Sequence, residues 1–455
     1  MAKNIDMTSS AHLTRRIVLF ALPLIASGIV QQSFNAVDVA VVGSFVGPHA
    51  LAAVGANGPI IGLIINLFIG ISVGANVVIA TYIGQRNERD VQRAVSTSAV
   101  IALAGGIFLT LVGLVIAAPL LKLLDTPANI FDSATNYLRI IAIGFPALMV
   151  YNFGSAVLRS NGDTRRPFYW LIAGGVVNLC LNLLFVLVFH MGVLGVALAT
   201  AVSSYVSGAG IAAILIREKS IVHLDVRHMK AWGLQLRKIL QIGVPAGVQG
   251  MVFALSNLFI QSAINSFGAE AVAGSAAAIT FEMYCYFILS AFVQAVVAFI
   301  SQNYGAGNYA QCRRIYWRCL LLGMACTAAV NLLICFGHRE ALSLFTNDPV
   351  TLQFAMDRLL TVLAFQWIAA TYEVSSGAMR AVGYSLTPTL LIIFGTCVVR
   401  ITWVALAHFT NFGQLLVIYP ITWALTGLLV MPAWLIVARK VLHKHPAAAP
   451  ATPAN

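Results

Sequence analysis

Apolar residues fill the chain in long blocks, and short polar clusters rich in Arg, Asn, Asp, Gly and Pro punctuate them. The blocks are long enough to cross a bilayer as helices, which takes roughly 20 residues. They predict twelve spans, at 15–44, 49–82, 92–118, 128–158, 166–190, 193–216, 237–266, 270–302, 309–337, 349–380, 387–409 and 414–439. The polar clusters between the blocks repeat. Arg159, Gly162 and Pro167 in VLRSNGDTRRP answer to Arg380, Gly383 and Pro388 in AMRAVGYSLTP, 221 residues on. Gly84, Asn87 and Arg93 answer to Gly305, Asn308 and Arg314 at the same offset of 221, and Pro23 and Phe45 recur as Pro245 and Phe267 at 222. Three landmarks on nearly one register mark a duplicated unit of about 200 residues. Each copy holds six spans, and an even number of crossings returns the chain to its starting side. The copies therefore share one orientation, as in transporters built from parallel repeats. The expected fold is an all-α integral membrane protein with twelve transmembrane helices in two parallel six-helix repeats. Its parts are an N-terminal segment 1–14, an N-lobe 15–216, a linker 217–236, a C-lobe 237–441 and a tail 442–455. The tail, PAAAPATPAN, is low in complexity and reads as disordered.

Composition agrees with a membrane setting. Hydrophobic residues make up 60% and charged ones 9%, against about 25% charged in soluble domains, and the mean hydropathy is +0.88. Charge then sets the orientation. Of 27 Lys and Arg, 22 fall on one side of the predicted spans; Lys122, Arg139, Arg339 and Arg358 lie on the other, and Arg400 sits inside a span. That bias places both termini and the linker in the cytoplasm. The net charge of +12 is thus a topology signal rather than a nucleic-acid footprint, and anionic membrane lipids are the partners it suits. The first apolar segment is too long for a signal-peptide core and reads as a retained span. The seven cysteines show no CxxC pairing, and Cys312, Cys319 and Cys326 read as small packing residues on one helix face. No HExxH, nucleophile elbow or Walker loop is present, so neither an enzyme nor an ATPase is expected.

Only Asp38, Glu282 and Glu373, of fifteen Asp and Glu, fall well inside predicted spans. A charge at a helix centre costs about 2.5–3.5 kcal/mol on insertion scales, so each needs a reason to be there. Asp38 closes a polar stripe with Gln31 and Asn35 at i−7 and i−3, and Gln32 lies beside it. A carboxyl in that position can trade a proton or Na+ against a substrate. Asn178 and Asn182, four apart, share a face of the fifth span, and Thr200 follows on the sixth. Their neutral oxygens suit a Na+ shell or a protonated acid, and interhelical hydrogen bonding is the competing use. Glu282 lies among Met283, Tyr284, Tyr286 and Phe287, which suits a lipophilic cation; a buried structural Glu is the alternative. Glu373 is expected to bridge to Arg380 or Arg400, and Arg400 needs a partner of its own.

These residues resemble a known family. Pro23 fifteen before Asp38, VGSFVGPHALAAVG, NLCLN before GVALAT, and LRSNGDTRRP are similar to segments of the multidrug and toxic compound extrusion (MATE) family, over about 15–440. The resemblance is nearest to its DinF-like bacterial branch. It implies two lobes about a central cleft, a monomer in a bacterial cytoplasmic (inner) membrane, and export of drugs, often cationic and amphipathic, against H+ or Na+ without a bound cofactor. By position, Asp38, Asn178 and Thr200 match that branch's cation site, with Na+ as one candidate ion. Asn182 departs, standing where the branch usually has a second Asp. Asn there is a feature of the NorM-like branch, but that branch's C-lobe acids are missing: Phe253 and Ala369 fall at or near their places. A lipid-linked oligosaccharide flippase of the same superfamily is the alternative, and a channel a more distant one.

Overall fold

A computed structural model describes residues 10–123, 126–343, 348–407, 409 and 411–442. Residues 1–9 of the expected N-terminal segment and 443–455 of the expected tail lie outside the described residues. Among the described residues every regular element is a helix: α1 Ser10–Val41, α2 Pro48–Gly84, α3 Glu88–Leu123, α4 Ala128–Ile143, α5 Phe145–Ser160, α6 Arg165–Leu183 and α7 Gly192–Arg217, then α8 Gly233–Asn265, α9 Ala269–Gly305 and α10 Tyr309–Phe336. There follow α11 His338–Ser343, α12 Pro349–Val362, α13 Ala370–Ala381, α14 Leu386–Ile392, α15 Val399–Leu406, α16 Phe412–Leu416 and α17 Ile418–Val441.

Among the described residues ten helical stretches are individually long and apolar enough to cross a membrane, and two predicted spans are broken. The fourth is α4 and α5, bent by 45° at Gly144. Pro146, in the first turn of α5, has no N–H to continue the α4 ladder. The tenth is α12 and α13, joined by a 3-10 stretch Leu363–Ala369. Each of the twelve predicted spans thus has a helical counterpart among the described residues, eleven of them long and apolar enough to cross. Short π-helical turns follow α1 (Val42–Val46), follow α6 (Leu184–Val188), and separate α14 from α15 (Ile393–Val398).

The repeat landmarks are explained by backbone geometry. Gly162 and Gly383 have φ of +85° and +91°, a region where glycine alone is unstrained. Each donates its N–H to the carbonyl three residues back, on Arg159 and Arg380, at 2.9 Å. The next N–H reaches back five residues in both copies, Asp163 to Leu158 at 3.0 Å and Tyr384 to Met379 at 2.9 Å. One helix-ending turn is thus built twice. The N-terminal copy adds a latch. The Asp163 carboxylate accepts from the Arg165 and Arg166 amides at 3.0 and 3.1 Å, and Arg166 pairs with both Asp163 and Glu218.

Gly84 and Gly305 mark a crossing of the ends of α2 and α9. A Cβ on Gly84 would strike the Gln302 carbonyl, and one on Gly305 would strike that of Thr81. In lipid, helices associate through close packing rather than through exclusion of water, so small residues at crossings carry much of the attraction. Gly305→Val is therefore expected to reduce the yield of folded protein several-fold, since overpacking against backbone typically costs 1–3 kcal/mol or more. Gly62→Ala serves as the control, because nothing lies within 4 Å of its added Cβ. Thermal unfolding of the detergent-purified variants checks the difference; equal melting of the two would remove the crossing from the fold's supports.

Contacts divide the chain into two units. The first comprises Leu22–Ile79 and Glu88–Gly247, and the second includes Ala80–Asn87 and the chain from Val248. The divide falls inside α1 beside Pro23 and inside α8 shortly after Pro245. In the first unit α3 packs on α4 and α5, and α7 on α4, α5 and α6. The linker lies against α3: Ser96 Oγ exchanges hydrogen bonds with the Lys230 backbone at 2.8 and 2.9 Å. The Trp232 amide reaches Thr97 at 3.0 Å, and the Arg93 guanidinium lies 4.4 Å above the Trp232 ring. In the second unit α9 packs on α10, α12 and α13, and α13 on α17.

Candidate cation-coupling site

The first unit brings Asp38, Asn178, Asn182 and Thr200 into one line of hydrogen bonds. Asn182 Nδ2 donates to Asp38 Oδ1 at 2.5 Å and to Asn178 Oδ1 at 3.1 Å. Asn178 Nδ2 points on to Thr200 Oγ1 at 3.4 Å, and Thr200 donates to the Val196 carbonyl at 3.0 Å. The helical period does the local work: residues 178 and 182 stack on one face of α6, between α1 and α7. Glycine sets the approach of α1, since a Cβ on Gly175 would occupy the place of the Phe34 ring.

Asn178 and Asn182 are buried, and Asp38 and Thr200 are half-buried. The Asn182 carbonyl oxygen is also buried, and no hydrogen bond satisfies it. An unpaired buried acceptor normally costs about 1–3 kcal/mol, so its place beside a carboxyl suggests a use. Tyr137, buried on α4, lies within electrostatic reach of Asp38. One carboxylate with three neutral oxygen-bearing side chains can hold a proton or a hard monovalent cation. Among the described residues no group of three or more His, Cys, Asp and Glu gathers.

The other sequence candidates divide. Gln31 and Asn35 are exposed on α1 and Gln32 is half-buried; among the described residues none of the three is hydrogen-bonded into the line. Glu282 is buried in the second unit, where the Arg358 Nε and Nη2 groups grip both its oxygens at 2.7 and 3.0 Å. Gln366 donates to the Glu282 backbone carbonyl at 2.9 Å. The expected recognition role needs a free carboxylate, whereas this one is held by a guanidinium. Tyr286, one turn on, is exposed. Glu373 forms an ion pair with neither Arg380 nor Arg400, contrary to expectation. Instead Arg380 Nη2 donates to Gln249 Oε1 at 2.7 Å. Arg400 bonds Thr422 Oγ1 through Nε at 3.1 Å and Asn257 Oδ1 through Nη1 at 3.0 Å.

The MatE family model matches residues 23–184 and again 245–405, more than half of the chain and once in each repeat. The chain belongs to the MatE family. Its members, the MATE proteins, are transporters and not enzymes. The chain is similar to the probable multidrug resistance protein YoeA of Bacillus subtilis, at 28% identity over 95% of this chain and 96% of that protein. YpnP of the same organism, also called a probable multidrug resistance protein, is 27% identical over 89% and 90%. A solved outward-facing multidrug resistance MATE family transporter has the same fold, with a TM-score of 0.89, 23% identity and coverage of 95% and 97%. In this MATE chain, sequence reasoning missed Tyr137, Arg358, Gln249 and Asn257 as partners of the intramembrane charges. Arg358 carried a usable signal: an Arg and a Glu in apolar spans of one repeat each need an opposite charge.

Proposed function

We propose that the protein is a secondary active multidrug efflux antiporter, exporting amphipathic, often cationic drugs in exchange for H+ or Na+ bound at Asp38. The line Thr200–Asn178–Asn182–Asp38 is the observation that carries this reading. The kinship with YoeA and YpnP, both called probable multidrug resistance proteins, supports drugs as cargo. A charged Asp38 accepts the Asn182 amide N–H. Once protonated, the carboxyl becomes a donor, and the unpaired Asn182 carbonyl is the acceptor at hand. Reorienting that amide changes what Asn178 receives, so the charge state of α1 reaches α6 and α7. Na+ would instead rest on oxygens of Asp38, Asn178 and Thr200. Either ion drives alternating access only by binding one conformation more tightly than the other. Gln31, Gln32 and Asn35 offer the drug neutral polar groups beside the coupling acid, and Tyr286 an aromatic face. The setting is a bacterial cytoplasmic membrane, with both termini and the linker inside and the monomer as the working unit.

Ethidium transport in proteoliposomes, with Na+ and H+ gradients imposed separately, tests the reading. One gradient should drive ethidium uphill. Movement that is only downhill would place the protein with channels, and a lipid-linked oligosaccharide flippase would not concentrate the dye either. Asn182→Asp adds a second carboxylate to the site and should strengthen dependence on Na+ several-fold. An unchanged ion preference would mean that this face does not hold the ion.

A further inference from the structure

The second unit carries two buried guanidiniums whose donors exceed their acceptors. Arg400 is fully buried and Arg380 nearly so, at 0% and 8% exposure. Arg400 Nη2 and Arg380 Nε are buried with no hydrogen-bond partner among the described residues. Among the described residues Arg400 meets no carboxylate, Arg380 has Glu373 within electrostatic reach but not in an ion pair, and Arg358 in the same unit is matched by Glu282. Both arginines are ordered by one stripe of α8. Gln249, Phe253 and Asn257 recur every fourth residue: Gln249 binds Arg380, and Phe253 and Asn257 meet Arg400. The stripe is about 12 Å long at the helical rise.

Arg400 is also held between aromatic rings, 4.5 Å from the Tyr419 centroid and 5.3 Å from that of Phe253. It stands two residues after a π-helical segment, Ile393–Val398, and such turns occur often at functional sites. Phe253 and Asn257 are only half-buried, so the α8 side of Arg400 is its open side. A planar cation with a spare N–H, walled by rings and reached past an amide, matches an aromatic molecule that carries a carboxylate.

We propose that Arg400, with Phe253, Asn257 and Tyr419, is a binding site for the anionic group of an aromatic carboxylate cargo. This deepens the efflux reading and rests on it, since it assigns the exporter a subsite for the carboxylate of an aromatic cargo.

Binding is measured on the purified full-length protein in detergent, by anisotropy of carboxyfluorescein. The wild type should bind the dye; 1-naphthoate should displace it, and tetraphenylphosphonium should not. Asn257→Asp places a carboxylate against Arg400 and fills the demand internally. It should weaken binding at least ten-fold while raising the melting temperature, and Arg400→Gln should weaken binding as much. The proposal is overturned if the wild type does not bind the dye, if Asn257→Asp binds as tightly as wild type, or if tetraphenylphosphonium competes as well as 1-naphthoate. Displacement by phosphatidylglycerol but not by 1-naphthoate would also overturn it, making the site one for a lipid headgroup. Should a variant not fold, the wild-type competition alone decides. Ethidium export in imposed gradients is scored separately: its failure removes the antiporter and leaves the binding result standing.

Discussion

Asp38→Asn abolishes ion-driven drug export while leaving a folded protein in the membrane. The substitution keeps the shape of the side chain, and the new amide oxygen can still accept from Asn182, as Asp38 Oδ1 does at 2.5 Å. What it removes is a group that can gain and lose a charge. No other acid joins the line, because Asn178, Asn182 and Thr200 are neutral. One proton entering along a 100 mV potential yields about 2.3 kcal/mol. Coupled one for one, that supports tens-fold accumulation of a neutral drug, and the variant should lose all of it. Stability should hold or rise, since a charge in the bilayer interior costs about 2.5–3.5 kcal/mol. The measurement is ethidium accumulation by energised cells at matched membrane expression, with thermal unfolding in parallel. Export at the wild-type level by this variant would end the assignment of Asp38 as the coupling acid. A variant that fails to fold would make Asp38 a structural pin for α1.

Much of the architecture was written in local chemistry. The offset of 221 stands out because the positions it links are ones that backbone geometry restricts to few residue types: Gly162 and Gly383 hold positive φ, and Gly84 and Gly305 sit at a helix crossing. The span count was harder to read from hydropathy alone, because α12 and α13 carry Asp357, Arg358, Glu373 and Arg380 within one broken span. The coupling set was legible for a different reason. Asn178 and Asn182 are one helical turn apart, so sequence spacing alone puts them on one face. The partners of the second unit lie far apart in sequence: Glu282 and Arg358 by 76 residues, Gln249 and Arg380 by 131, and Asn257 and Arg400 by 143. Such pairings depend on how helices rotate as they pack, which no local pattern records. The expected Glu373–Arg380 bridge failed on that point, since seven residues of helix separate them and Gln249 on α8 reaches Arg380 instead.

The pairing of Glu282 with Arg358 reverses what Glu282→Gln should do. A free recognition carboxylate, once neutralised, would lose permanently charged dyes selectively. Here the carboxylate takes two hydrogen bonds from a guanidinium with 2% exposure. Breaking a buried pair from one side usually costs about 3–5 kcal/mol, because the remaining charge is left without a counter-ion. Arg358 has little to fall back on. Its Nη1 already lacks a partner, and its other neighbour is the neutral Tyr419, whose ring centroid lies 5.2 Å away. Glu282→Gln should therefore lower thermal stability clearly and reduce export of ethidium and of a neutral drug alike. Replacing both residues, as Glu282→Leu with Arg358→Leu, removes the orphaned charge and should recover most of the stability, since apolar side chains often substitute for a buried pair at little cost. Unfolding of the two single variants and the double variant gives the coupling energy directly. A stable Glu282→Gln protein that loses only the cationic dye would mean that Glu282 reads the cargo and that the bond to Arg358 is dispensable.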